Sequence, residues 1–317
     1  FYTDAGVLPR ATLAEAYPIG ARLSLHAVLG KSRAVTLLFL VAALAALGLA
    51  LGYRTRIATA VSLVLLASLQ ARNPFVLNAG DILLLQLLGA SLLCPLGARW
   101  SLDAVRCGDA VPSSSTHNDG LGRAAAVASR VVSPASALLL ILVVIVYVSN
   151  AVEKLRGTAW PAGEAVKRVF QLTYLHGPLG GLVPEWSALL SAATYAWLAL
   201  LVVSPLLIVA VGRVRAALAG TLLAAHLSMV FTIQIGIFPL ISAAALIPFF
   251  PPFIWDRVER MVAPTADRIC TVASGWFIAA GRQPAATVAP TETGPLRAIR
   301  DRATAVIPVL AVGLLVA

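Results

Sequence analysis

Long uncharged runs dominate the chain, and the segments between them hold nearly all of its charge. The runs cover 34–53, 57–71, 82–98, 134–152, 187–212 and 216–255, with a last one over 303–317. A helix that crosses a bilayer needs roughly 20 mostly apolar residues, within a range of about 17–25. The run 216–255 is long enough for two such helices and has a natural turn at "QIGIFP", 234–239. The pattern predicts an all-α fold: a polytopic transmembrane helical bundle of about eight spans, the last truncated. One bundle is expected over 1–255. A basic cytoplasmic linker over 256–302 and the start of a further transmembrane helix over 303–317 come after it. The chain opens "FYTDAGVLPR", without a starting methionine, and its last run reaches the final residue. Both ends read as cuts in a longer protein, and no signal-peptide pattern is visible.

Composition supports this picture. Hydrophobic residues make up 59% and charged residues 12%. Soluble domains are about half apolar and about a quarter charged. The surplus apolar surface therefore faces lipid, which is the first expected partner. The formal net charge of +10 does not mark a nucleic-acid binder. Most of its arginines sit in loops beside apolar runs, where they meet anionic headgroups, and no basic stripe interleaved with aromatics is present. Cys94 lies in a predicted span, and Cys107 and Cys270 lie in separate loops, so no disulfide framework or CxxC pair arises. The four histidines, His26, His117, His176 and His226, show no HxxxH or HExxH spacing, so no metal is predicted.

The loop charges alternate. Segments 53–56, 99–133, 213–215 and 256–302 are basic, whereas 72–80, 153–186 and 234–240 are mixed or nearly neutral. The excess of Lys and Arg in cytoplasmic loops puts the first set inside and the second set outside, together with the N-terminal segment. The predicted location is multi-pass in the cell membrane. Ser101 is placed to cap a short interfacial helix within 99–133.

Polar groups that persist in hydrocarbon are candidates for function. Asn78 and Asp81 open a span after "NPFVL". They are either a helix cap or, with Arg72 and Asp4, a polar cluster at an outer mouth. His226 stands mid-span in "TLLAAHLSMVF". It is either a packing histidine bonded to Ser228 or Thr232 at helical spacing, or a group that moves a proton or orients a ligand. Lys154 ends the run "SALLLILVVIVYVSN", with Trp160 just beyond. Either its stem snorkels and its amine reaches headgroups, or it turns inward, where a desolvated amine serves as a base. Ser187, Ser191, Thr194 and Ser204 read as contacts between helices or bonds back to their own helix. There is no GxSxG elbow, phosphate-binding loop or GxGxxG.

Six stretches taken together resemble one family. They are "FYTDAGVLP" (1–9), "LGYRTRIA" (51–58), "NAGDILLLQLL" (78–88), "PLGARWSLDA" (95–104), "VEKLRGTAWPAGEA" (152–165) and "HLSMVFTIQIGIFPL" (226–240). Their order and spacing over 1–255 resemble the HTTM domain, which is related to the membrane domain of vitamin K-dependent gamma-carboxylase. In the vertebrate carboxylases a Val-Lys-Lys-Leu run followed by Trp ends the equivalent helix. Its second lysine is the proposed catalytic base. Val152-Glu153-Lys154-Leu155 and then Trp160 match it. The family also has an important histidine before an Ile-Gly-x-Phe motif, and His226 followed by Ile235-Gly236-Ile237-Phe238 is similar.

The resemblance implies an enzyme acting at the outer membrane face, a quinol-dependent carboxylase or epoxidase. Its cofactor would be reduced menaquinone or a vitamin K hydroquinone, used with O2 and CO2. A deprotonated Lys154 would take a proton from the quinol, and oxygen would add. The resulting alkoxide would remove a proton from the gamma carbon of a glutamate, and CO2 would add to the carbanion. The expected site is catalytic Lys154 and His226, with Asn78, Asp81, Trp160 and Arg72 around the quinol. A secreted peptide or protein would be the substrate. Two departures stand out. Gly80 occupies the position of a family histidine, and the domain that grips the substrate's propeptide does not fall within these 317 residues. They bear on carboxylation of protein glutamate, and the alternative expectation is a non-catalytic scaffold or maturation helper for a secreted product.

Overall fold

The computed structural model describes residues 2–98, 101–103, 133–183, 186–258 and 260–262. The segment 263–302, the terminal run 303–317, most of loop 99–133, and Cys107, His117 and Cys270 lie outside them. Among the described residues the chain is helical, and its one extended pairing is a bridge between His176 and Ile233. The helices are α1 Arg10–Ala16, α2 Pro18–Leu23, α3 Leu25–Val28, α4 Ser32–Ala50, α5 Thr55–Arg72 and α6 Ala79–Ser91, then α7 Pro134–Arg156, α8 Ala165–Gln171, α9 Ser187–Val202, α10 Leu206–Val209, α11 Gly212–Thr232 and α12 Phe238–Leu246.

Three described helices, α4, α7 and α11, are long and apolar enough to cross a membrane. A fourth crossing exists if Phe238–Phe249 and Pro252–Val262, bent by 107°, form one broken span. The surface of α7 shows what surrounds it. Leu138, Ile141, Ile145, Val148, Val152 and Leu155, spaced alternately three and four residues apart, are all exposed. Val143, Val144, Tyr147 and Ala151, on the opposite face, are buried. An unbroken apolar stripe over five turns is a liability in water and the ordinary surface of a helix in lipid. The chain is therefore an all-helical, membrane-associated protein.

Prolines and glycines cut the other apolar runs. The run 187–212 breaks after α9, at Ser204-Pro205, because proline lacks the N–H that would continue the helix. The run 216–255 turns at Gly236, whose φ of +67° suits glycine, and Pro248, Pro251 and Pro252 interrupt the stretch after α12. At 13 residues α6 is about 20 Å long, short of a hydrocarbon core of about 30 Å. The main core lies among α7, α9, α10, α11 and α12, where Val143, Leu201, Leu207, Leu222, Leu246 and Phe249 meet.

At one end of the bundle, two of the matched stretches clasp each other. The Asp103 carboxylate accepts from the backbone N–H groups of Arg54 and Thr55, both at 2.8 Å, and so caps α5 from 48 residues away. A Cβ on Gly52 would lie 2.3 Å from Ser101 Cβ, so only glycine permits this approach.

At the other end the N-terminal helices dock on α5. Ser24 Oγ donates to the Ser68 carbonyl at 2.7 Å, and the His26 N–H donates to Ser68 Oγ at 3.1 Å. Arg72, fully buried, donates to the Leu8 carbonyl at 2.7 Å, and its Nη2 faces Asp4 at 3.8 Å. Arg10 holds the same carboxylate more closely, with Nε 2.8 and 2.9 Å from its oxygens. The hydrogen bonds from Arg10 hold the Asp4 carboxyl below its usual range. A carboxylate with a lowered folded pKa stabilises above its unfolded pKa of about 3.9, and that contribution fades as pH falls through the folded value. Acidification below about pH 4 should therefore loosen residues 4–30, with amide exchange rising over 24–28. Asp4→Asn should show the faster exchange already at neutral pH and lose the acid step.

Candidate active site

The last turns of α7 carry the candidate base. Tyr147, Ala151 and Lys154 recur at helical spacing on its buried side, opposite the lipid-facing stripe. Lys154 is half-buried. Its Nζ donates to Asn150 Oδ1 at 2.7 Å and lies 4.7 Å from the centre of the Trp160 ring. The amine thus sits on the bundle side of α7 beneath an indole. Glu153, one residue earlier, is exposed and pairs with Arg156 at 2.8 Å.

The chain after α7 places Trp160. It turns at Gly163, φ +73°, where a Cβ would come within 2.9 Å of the Tyr195 ring. Tyr195 donates its hydroxyl to the Pro161 carbonyl at 3.1 Å, and Thr194 Oγ1 accepts from the Val166 N–H at 3.1 Å. Thr194 also bonds back to the Leu190 carbonyl at 2.9 Å, so this residue does both things expected of it.

His226 is 1% exposed in the middle of α11. A hydrogen bond of 3.1 Å joins its Nε2 to the Tyr147 hydroxyl. Trp197 and Phe238 meet the imidazole edge to face at 5.2 and 5.8 Å between ring centres, and among the described residues Nδ1 has no hydrogen-bond partner. Bonding to Ser228 or Thr232 is therefore not what holds this histidine. Ser228 donates to the Ala225 carbonyl at 2.7 Å and Thr232 to the Ser228 carbonyl at 2.9 Å. Short hydroxyl side chains reach the carbonyls of their own helix first. Tyr147→Phe should leave both imidazole nitrogens unpartnered at a cost of about 1 kcal/mol, read as a lower thermal midpoint in detergent.

Tyr147, the partner of His226, shares the inward face of α7 with Lys154. Lys154 lies seven residues, and so about 10 Å along the helix axis, beyond the tyrosine that holds His226. Both groups belong to one face of α7, and among the described residues no hydrogen bond joins the amine to the imidazole.

Asn78 and Asp81 form a reciprocal cap on α6. Asn78 Oδ1 accepts from the Gly80 N–H at 2.7 Å, and Asp81 Oδ2 accepts from the Asn78 N–H at 2.9 Å. Satisfying free N–H groups at a helix start is the structural use of such residues. Arg72 belongs with Leu8 and Asp4 at the N-terminal dock. Gly80 is packed tightly: a Cβ there would stand 2.8 Å from Phe238 Cα. Because Phe238 also packs on His226, Gly80 lies one aromatic residue away from the imidazole.

A strap closes this end. The Gly177 and Leu179 N–H groups donate to the carbonyls of Thr232 and Phe231 at 3.0 and 2.8 Å, which satisfies the last turn of α11. Sequence reasoning missed Tyr147, Asn150, Trp197 and Phe238. The available signal was Tyr147 and Asn150, which with Ser149 are the polar groups at the end of a hydrocarbon run, seven and four residues before Lys154.

Among the described residues, no group of three or more His, Cys, Asp and Glu side chains converges as metal ligands would. The site supplies an amine, an imidazole, a phenol and a carboxamide beside aromatic rings. These are groups for proton transfer and for holding a flat organic ring. No family model, no curated protein and no solved structure matches the chain.

Proposed function

We propose that the protein is a multi-pass enzyme of the cell membrane, HTTM-like, in which about eight apolar segments cross or enter the bilayer. It uses a lipid quinol and oxygen at its outer face, with Lys154 as base and His226 as its partner. Trp160 and the aromatic residues around His226 border the quinol, and reduced menaquinone or a vitamin K hydroquinone supplies the reducing equivalents. Where CO2 and a secreted peptide are also bound, the product is a carboxylated glutamate. One observation carries this reading: Lys154 and the tyrosine that holds His226 lie on the same inward face of α7. A base of this kind needs shelter from water, and a membrane interior offers it.

Purified protein in lipid nanodiscs, given reduced menaquinone, oxygen and bicarbonate, tests this reading, with quinone epoxide measured by chromatography. Epoxide formed in proportion to protein supports the enzyme. Neither epoxide nor quinol binding would leave the second reading, a scaffold or maturation helper for a secreted product. A specific observation favours that alternative: Gly80 is pressed against the Phe238 backbone, and Asn78 and Asp81 are engaged in capping α6.

A further inference from the structure

Helices α2 and α3 turn polar groups inward and apolar groups outward. Their interior holds Ser24 and His26 in the dock on Ser68 and Arg72, all buried, with Ala27 beside them in a small apolar cluster with Leu8 and Leu13. Their exterior holds Ile19, Leu23 and Val28, which are 74%, 73% and 64% exposed. Tyr17 extends this surface onto Phe75, with ring centres 6.3 Å apart and both residues exposed. Between Ala16 and Gly30 the sequence has one permanent charge, Arg22. Polar groups turned inward and apolar groups turned outward suit a hydrocarbon solvent.

Depth supports the same conclusion. At 19 residues α4 is about 28 Å long, so all of it is needed to cross a core of about 30 Å. Phe39 lies seven residues, about 10 Å, inside its first turn. The Phe39 ring meets those of Tyr2 and His26 at 5.7 and 5.8 Å. Likewise, His26 is bonded to Ser68, one turn short of the end of α5. The N-terminal helices therefore lie alongside the outer turns of α4 and α5, at the level of acyl chains, where α4 itself exposes Leu37, Leu40 and Leu44.

We infer that residues 17–30 form a wedge inserted into one leaflet of the bilayer, with phospholipid acyl chains as the partner of Ile19, Leu23 and Val28. This differs from the expectation that the N-terminal segment stands outside the membrane, and it holds whichever reaction the protein performs.

A fluorophore sensitive to polarity, attached to a single cysteine at Leu23 or Val28, tests the wedge. The variants carry Cys94→Ala, Cys107→Ala and Cys270→Ala and are reconstituted in phosphatidylcholine vesicles. Emission from both positions should be blue-shifted and quenched several-fold more by acyl-chain nitroxide lipids than by iodide. The reverse order is expected from a label at the exposed Glu15 on α1. Unaltered protein in vesicles containing a phospholipid with a diazirine acyl chain should acquire photoadducts on peptides covering 17–30. Iodide quenching at Leu23 and Val28 equal to that at Glu15 would overturn the inference. So would photoadducts on α4 without any on 17–30.

Discussion

Lys154→Ala is expected to lower quinol epoxidation by about a hundred- to ten-thousand-fold, the range over which a positioned acid or base contributes. The Lys154 amine sits on the inward face of α7, fixed by Asn150 at 2.7 Å and by the Trp160 ring at 4.7 Å. A residue that served only to anchor α7 at the interface would act through its long stem and its charge. Lys154→Arg keeps both and removes the capacity to act as a base, since a guanidinium does not give up its proton near neutral pH. The arginine variant should therefore fold like the parent and turn over as poorly as the alanine variant. Asn150→Ala should leave the amine in place but less well oriented, with a smaller loss in turnover and little change in quinol affinity. Undiminished epoxide from Lys154→Ala would remove this lysine from the reaction.

Gly80→His should be the most damaging single change at the cap of α6. A Cβ at this position would lie 2.8 Å from Phe238 Cα and 2.8 Å from Asn78 Oδ1. Backbone cannot swing aside as a flexible side chain can, so an imidazole separates α6 from α12. Forcing extra atoms into a packed contact costs about 1–3 kcal/mol, and a whole ring belongs at or beyond the upper end. The thermal midpoint in detergent should fall by several degrees, and Gly80→Ala should give a smaller fall in the same direction. Phe238 bears on the imidazole, so both variants should also perturb His226. An unchanged midpoint for Gly80→His would mean that α12 yields freely and that this position can house a histidine.

These two experiments separate the competing readings. The lysine tests whether the chemistry implied by the resemblance is present. The glycine tests whether the packing around α6 has replaced one of its parts with a helix–helix contact.

Single residues differ in how far their role could be read in advance. Asn78 and Asp81 were legible as a cap because their effect is local: a side chain three residues from its target needs no tertiary information. Lys154 and His226 were legible as oddities because charge and imidazole are costly in hydrocarbon. Their surroundings were not legible. Nothing in the spacing of 147 and 226 shows that Tyr147 reaches His226 across 79 positions, or that Asp103 caps α5 from 48 residues away. Ser228 and Thr232, two and six residues from His226, do not share its helix face and bond to carbonyls of their own helix instead. Span lengths were partly legible. Apolar runs revealed the helices that face lipid, while Pro205, Pro248 and Pro251 decided where two of the longest runs break.

Composition and the length of the apolar runs together pointed to helices in contact with lipid. Transfer of apolar area is additive along a sequence, and a backbone in hydrocarbon must bond to itself. Tertiary structure alone decided which way each polar group turns: Lys154 toward the bundle, Glu153 away from it, and His26 inward beneath an apolar wedge. Direction is a property of packing between distant segments, which depends on distances that no local pattern of residues contains.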